Sequence, residues 1–255
     1  MPRMKIFDCF EIKNETATSA DLYFYGDIVS DWWGAWAEED QYPEAVKNFL
    51  NGQQGKSLNI YINSGGGNVF AGIAIYNMIR RFAENSDVQV YVDGLAGSIA
   101  SVIAFSGNNP PKVPSNAFLM IHNPWAVVEG NSADLRKMAD DLDVITDGIV
   151  AVYMEHVKEG VTEDQIRELM NAETWLSGTD AAEYFDVDVC DGVKEIAAAA
   201  GEYVARSRNM PKGLVIQKAA ATETKVSDNQ DARSAELIQN RQKRDKIARI
   251  IINHL

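Results

Sequence analysis

Ser98 and His122 are the two residues of this chain whose types and setting could do chemistry together. Ser98 lies in VQVYVDGLAGSIASVIAFSG, where an alternating β run meets a Gly-rich turn and then a small, apolar, helix-like run. A serine at a strand-to-helix turn stands clear of the sheet, and the free N–H groups of the following turn point at any anion formed there. His122 follows KVPSNAFLMI, a short apolar strand, and stands just before Asn123-Pro124. Serine is a poor nucleophile until a base takes its proton, and a histidine of pKa about 6.5 suits that task at neutral pH. The third component is the loop NSGGGN at residues 63–68, whose consecutive glycines let backbone N–H groups turn toward a ligand. Taken singly, Ser98 reads equally as a helix N-cap and His122 as a core or turn histidine. The order of Gly loop, serine turn and histidine after a strand favours catalysis, with Ser101 the next nucleophile candidate. His156 and His254 lack the strand-end setting and read as structural or surface residues.

The elements that must position these residues follow from hydrophobic periodicity. Residues 22–26 form a first core strand, and Pro43 opens a helix whose Val46, Phe49 and Leu50 share one face before Gly52. Residues 58–62 form a second strand, the Gly loop follows, and a helix runs over 69–82. Strand 88–92 and the Ser98 helix repeat the β-turn-α pattern, which argues for right-handed crossovers in a largely parallel sheet. A strand–Gly-loop–helix unit could also cradle phosphate, but GxxxxGK[ST] is absent and 63–69 holds no GxGxxG. Residues 131–158 read as a long helix with Leu135, Met138, Leu142, Ile145, Ile149 and Val152 in one apolar stripe. Thr162 to Gln165 reads as a capping box opening a helix to about Met170. A turn or short strand over 171–177 and a short helix over 179–184 complete the patterned region. Trp32, Trp33 and Trp36 read as packing under a loop or as a subunit contact, since aromatics concentrate in interface cores.

Composition bounds the function classes. With 255 residues, 46% hydrophobic and 24% charged, the chain reads as a soluble globular protein. A formal net charge of −13 argues against nucleic acid as a partner, and no apolar run reaches the ~20 residues of a membrane span. Cys9 and Cys190 offer neither a disulfide framework nor metal-ligand spacing, so a reducing compartment is expected. No signal-peptide h-region is evident near the N-terminus. Residues 201–255 carry 11 Lys+Arg against 6 Asp+Glu, whereas residues 1–200 carry 13 against 31. We therefore expect a domain over 1–200 and a basic linker and C-terminal tail over 201–255, partly disordered or helical.

INSGGGNVFAG at 62–72, DGLAGSIAS at 93–101, MIHNPW at 120–125 and ETWLSGTDAAEYFDVD at 173–188 resemble the proteolytic-subunit family of the Clp protease (ClpP). The wording GDIVSDWWG, HNPW and ETW is most similar to its phage branch, the ClpP-like head maturation (prohead) proteases. The resemblance covers residues 22–193 and implies a ClpP/crotonase-type α/β fold, a ββα superhelix with a long handle helix at 131–158. It implies Ser98 as nucleophile, His122 as general base, and Glu173 as the acid that fixes the histidine tautomer, with Asp180 a weaker alternative. It places the oxyanion donors at the N–H groups of Gly67 and Ile99. Gly65 stands where the family often has Pro and Gly97 where it often has Ala, which loosens the backbone around the site.

By this resemblance the chain is a serine endopeptidase, cleaving phage capsid or scaffold proteins bound as an extended strand. It is expected as a homo-oligomeric ring, a heptamer or stacked heptamers, in the host cytoplasm. No cofactor, metal, nucleic acid or membrane is implied, and we expect it to act without an ATPase partner. Two rivals stand beside it. A crotonase-type acyl-CoA enzyme would share the fold and paired N–H donors without needing a serine–histidine pair. A catalytically idle ring or assembly protein would keep the fold alone.

Overall fold

A computed structural model describes residues 16–31, 40–190 and Asn209. Seven strands and six helices follow in the order β1 (Ser19–Phe24), α1 (Pro43–Gly52), β2 (Ser57–Ser64), α2 (Val69–Ala83), β3 (Val88–Gly97), α3 (Ile99–Ala104), β4 (Lys112–Pro114), β5 (Phe118–Ile121), α4 (Ser132–Met154), α5 (Glu163–Asn171), β6 (Thr174–Ser177), α6 (Gly178–Tyr184) and β7 (Asp188–Cys190) among the described residues. The β1, β2 and β3 strands pair in parallel, Leu22 beside Ile60 and Ile60 beside Val90. Parallel neighbours need crossovers, which α1 and α2 supply.

Alternation along these strands sorts their side chains. Leu22, Phe24, Leu58, Ile60, Ile62, Val88, Val90 and Val92 are buried on the face covered by helices. The opposite face carries Tyr23, Tyr61 and Tyr91 in register, stacked at 4.8 and 5.0 Å between ring centroids. Beyond Tyr91 the sheet divides. The first half of β3 meets β4 at Tyr91 and Lys112, and its second half pairs with β5 from Leu95 to Gly97. Strand β7 extends β4 in parallel, and β6 lies antiparallel on β5. This is the α/β architecture with a long late helix that the sequence led us to expect.

Three local expectations change. The segment DGLAG, read as a Gly-rich turn, continues β3 to Gly97, because its small residues serve close approach rather than reversal: a side chain at Gly97 would stand 3.3 Å from the carbonyl oxygen of Gly65. The run KVPSNAFLMI is two strands, β4 and β5, separated by a turn that Ala117 N–H closes onto Pro114 O at 2.9 Å. Strand β7, three residues long, gave no periodic signal.

The long helix α4 begins at a capping box in which Asn131 accepts from the Asp134 N–H and Asp134 accepts from the Asn131 N–H. Its apolar stripe is used unequally. Ile149 is buried, with Val150 and Tyr153 beside it, whereas Leu135 at its start is 46% exposed; Val144, off the stripe, is 71% exposed. The predicted capping box at Thr162 and Gln165 is present and opens α5. Trp32, Trp33, Trp36, Cys9 and His254 lie outside the described residues, as does the expected tail over 201–255 apart from Asn209. All described residues fall in one unit that runs from Met1 to Lys218. Among them no helix is long and apolar enough to cross a membrane.

Two glycines test this packing in opposite directions. A methyl group on Gly148, in α4, meets nothing within 4 Å, so Gly148→Ala should stabilise the protein by roughly 0.5–1 kcal/mol through helix propensity. A methyl group on Gly178 would stand 2.3 Å from Pro114 O and 2.6 Å from Val113 O, so Gly178→Ala should be destabilising. Urea unfolding midpoints check both; a Gly178→Ala protein as stable as wild type would contradict the docking of α6 on β4.

Candidate active site

The pairing of β3 with β5 sets Ser98 and His122 side by side. Gly97 is the partner of Met120 in this parallel pair, so Ser98 is the first residue beyond one strand end and His122 lies just beyond the other. Ser98 donates its N–H to Met120 O at 2.7 Å, and its Oγ lies 2.8 Å from His122 Nε2. Both residues are half-buried.

Ser98 adopts φ 52° and ψ −128°, a conformation that side chains rarely take. Such a residue is held at a cost of roughly 1–3 kcal/mol, and the surroundings must impose it. Here the chain reverses from β3 into α3 within one residue, which turns Oγ out of the sheet toward His122.

The Gly loop is pinned against this turn. Ile28 donates its N–H to Gly66 O at 2.8 Å and accepts from Asn68 N–H at 2.7 Å. Ser64 Oγ donates to Gly26 O at 2.6 Å and accepts from Gly66 N–H at 3.1 Å. Gly67, at φ 146°, passes so close to Ile28 that a Cβ would stand 2.1 Å from Ile28 O. A Cβ on Gly66, at φ 95°, would meet Gly97 O and Ser98 Cβ at 2.6 Å and Ile99 N at 3.1 Å. Gly65 and Gly97, expected to loosen the site, lie against each other within this hydrogen-bonded frame.

Glu173 adjoins the start of β6. Ile121 faces Thr174 in the antiparallel β5–β6 pair, the last paired step, so His122 follows one member of that pair and Glu173 precedes the other. Glu173 has φ 50°. The hydrogen bond described for its carboxylate comes from the N–H of Asn209, 2.8 Å from Oε1, and the Asn209 side chain donates to Ala172 O at 2.6 Å. Asp180, the alternative acid, is committed elsewhere. It accepts from the hydroxyl of Ser177 at 2.6 Å and from its N–H at 3.2 Å, closing the capping box of α6.

Ser98 opens onto a small pocket lined by Val69, Ile99, Val102, Pro124, Ile149 and Tyr153, with His122 at its rim. Ser98 and His122 supply its polar groups, and the Tyr153 hydroxyl is turned to Ser101 in the core. Sequence reasoning missed Tyr153, hidden as a polar residue in the apolar stripe of α4, and Asn209, which belongs to no periodic segment. Ser101, the reserve nucleophile, is fully buried and donates its hydroxyl to Ser98 O at 2.5 Å. His156 stacks on Phe105 at 5.0 Å, and burial lowers its pKa, which suits a neutral packing role.

Comparison with known proteins places the chain among proteases of one family. The Clp protease family profile matches residues 44–190. The chain is similar to the ATP-dependent Clp protease proteolytic subunit of Bacteroides fragilis, 29% identical over 135 residues that make up 52% of this chain and 63% of that protein. It is 31% identical over 145 residues to the ATP-dependent Clp protease proteolytic subunit 3 of Streptomyces coelicolor, covering 56% of this chain and 65% of that one. The corresponding subunit of Porphyromonas gingivalis is 28% identical over 135 residues, covering 52% and 59%. The matched stretch thus spans less than two thirds of the length of each of these relatives.

The close approach of Gly66 to the serine turn gives a direct check. Gly66→Ala should push the turn away from His122 and slow covalent labelling by a fluorophosphonate by at least about tenfold, since small displacements of reacting groups are costly. Labelling at the wild-type rate would show that the loop and the turn do not constrain each other.

Proposed function

The chain belongs to the Clp protease family, and on that premise we propose that it is a serine endopeptidase with Ser98 as nucleophile. The observation that carries the proposal is the 2.8 Å contact between His122 Nε2 and Ser98 Oγ at a backbone turn that presents the serine. In the first step His122 takes the hydroxyl proton as Oγ attacks the peptide carbonyl carbon. The carbonyl electrons move to oxygen, and the N–H groups of Gly67 and Ile99 stabilise that oxyanion. His122 then returns the proton to the leaving amine, and water, deprotonated by the same histidine, releases the acyl group.

Glu173 is the acid of this triad. It orients His122 through the second ring nitrogen and stabilises the imidazolium. A carboxylate accepts several hydrogen bonds, so the Asn209 contact leaves acceptor capacity for the ring. The capping-box role of Asp180 supports leaving it out of the chemistry.

The finer reading is processing of phage capsid or scaffold proteins in the host cytoplasm during head maturation. It is supported by the motifs GDIVSDWWG, HNPW and ETW. The substrate binds as an extended strand beside the Ser98 turn. The protein works as a homo-oligomeric ring, seven subunits in one ring or two stacked rings, without an ATPase partner. The exposed Leu135, at the start of the apolar stripe of α4, supports a surface that another subunit covers.

Peptide-cleavage rates of four variants test the chemistry. Ser98→Ala and His122→Ala should be worst. Glu173→Gln should be intermediate, losing less than the roughly 10⁴-fold seen when a triad acid is made an amide, because its side chain is longer. Asp180→Asn should stay near wild type. A damaged Asp180→Asn beside an unimpaired Glu173→Gln would reassign the acid. Fluorophosphonate labelling lost in Ser98→Ala separates a peptidase from an idle assembly protein or an acyl-CoA enzyme. Sedimentation equilibrium should give a mass several times the 28.2 kDa chain, and a monomer at every concentration would remove the ring.

A further inference from the structure

The backbone of the nucleophile is held from the core side by two residues outside the triad. Ser98 O accepts both the N–H of Ser101, at 3.0 Å, and its hydroxyl, at 2.5 Å. Ser101 Oγ also lies 2.8 Å from the hydroxyl of Tyr153, and both residues are buried. The direction of this chain is fixed by proton counting. A carbonyl oxygen can only accept, so Ser101 gives its one hydroxyl proton to Ser98 O, and Tyr153 must donate to Ser101. Burial raises the pKa of the Tyr153 phenol, which keeps the proton in place. Tyr153 is itself wedged near the end of α4, edge-on to Phe105 at 6.3 Å and tilted on Phe185 at 5.7 Å.

The peptide that follows Ser98 has two ends. Its carbonyl belongs to Ser98 and its N–H to Ile99, and in a planar trans peptide the two point in opposite directions. None of the peptide bonds described is cis. Anchoring Ser98 O toward Ser101 therefore sends the Ile99 N–H the opposite way.

We propose that Ser101 and Tyr153 are positioning residues for the nucleophile turn, a relay from Tyr153 O–H through Ser101 O–H to Ser98 C=O that aims the Ile99 N–H at the oxyanion. The inference rests on the reading of Ser98 as nucleophile. It assigns the relay a task that ordinary core hydrogen bonds do not have: it holds one donor in the direction where charge develops. Its effect accordingly falls on the chemical step and leaves substrate affinity alone.

The test uses the full chain with Tyr153→Phe, Ser101→Ala and the double variant, labelled by a fluorophosphonate at varied concentration. The maximal labelling rate should fall roughly tenfold in each single variant, less than the 10²–10³-fold for deleting an oxyanion donor outright. The half-saturating concentration should not move. Hydrolysis of p-nitrophenyl acetate should divide the same way, with kcat lowered and KM unchanged. The double variant should be no worse than Ser101→Ala alone, because links in series are not additive. Tyr153→Phe keeps the ring and its packing, so it decides the matter even where Ser101→Ala does not fold. Wild-type maximal rates in Tyr153→Phe, or a change confined to KM, would overturn the relay. Failure of the wild-type protein to label at Ser98 would overturn the nucleophile reading itself, and the relay with it.

Discussion

The site depends on one strand pairing, Leu95–Gly97 of β3 beside Phe118–Met120 of β5. Parallel strands end on the same side of a sheet, so the residues leaving Gly97 and Met120 emerge together. That fact brings Ser98 within 2.8 Å of a histidine 24 residues later without help from a long loop. The antiparallel addition of β6 to β5 pairs Ile121 with Thr174, the residues next to His122 and Glu173 in the chain. Ser98 and His122, from separate parts of the sequence, thus meet through backbone hydrogen bonding. Side-chain packing is left to hold the arrangement rather than to create it.

Holding it requires a high local order, because two of the three residues have positive φ. Strain of this kind persists only where neighbours over-determine the backbone. At Ser98 the N–H is tied to Met120 O and the carbonyl to Ser101, while Gly66 closes the remaining side at a distance no Cβ could share. At Glu173 the N–H is bonded to Met170 O, and Asn209 reaches over from 36 residues away to hold both the side chain and the preceding carbonyl. The glycines of the loop are a geometric need here: Gly66 and Gly67 lie in the left-handed region and against backbone atoms.

Much of this was legible in the sequence, for identifiable reasons. Helices α1, α2, α4 and α5 announced themselves through a first-turn proline, a repeated apolar face and a capping box, all local signals. Strands β1 and β2 and the first half of β3 did so through alternation. What stayed hidden was non-local. DGLAG has the composition of a turn, and only the approach of Gly65 to Gly97 explains why it is strand. Glu173 and Asp180 could be compared by motif alone, whereas the engagement of Asp180 in the cap of α6 needs coordinates. Ser101 looked like a spare nucleophile because sequence does not tell an exposed hydroxyl from one buried under Ser98 O.

Helix α4 links the two scales of the protein. Its last turns carry Ile149 and Tyr153 to the pocket beside Ser98, and its first turn carries Leu135 into solvent. At 1.5 Å per residue, Leu135 and Tyr153 lie about 27 Å apart along one rod. Between them α4 contains no proline, but Gly148 and Thr146, whose hydroxyl donates to Leu142 O at 2.8 Å, are the points where it bends most easily. The apolar side chain left uncovered at one end and the hydroxyl buried at the other are therefore two loads on the same element, joined through the Thr146–Gly148 segment.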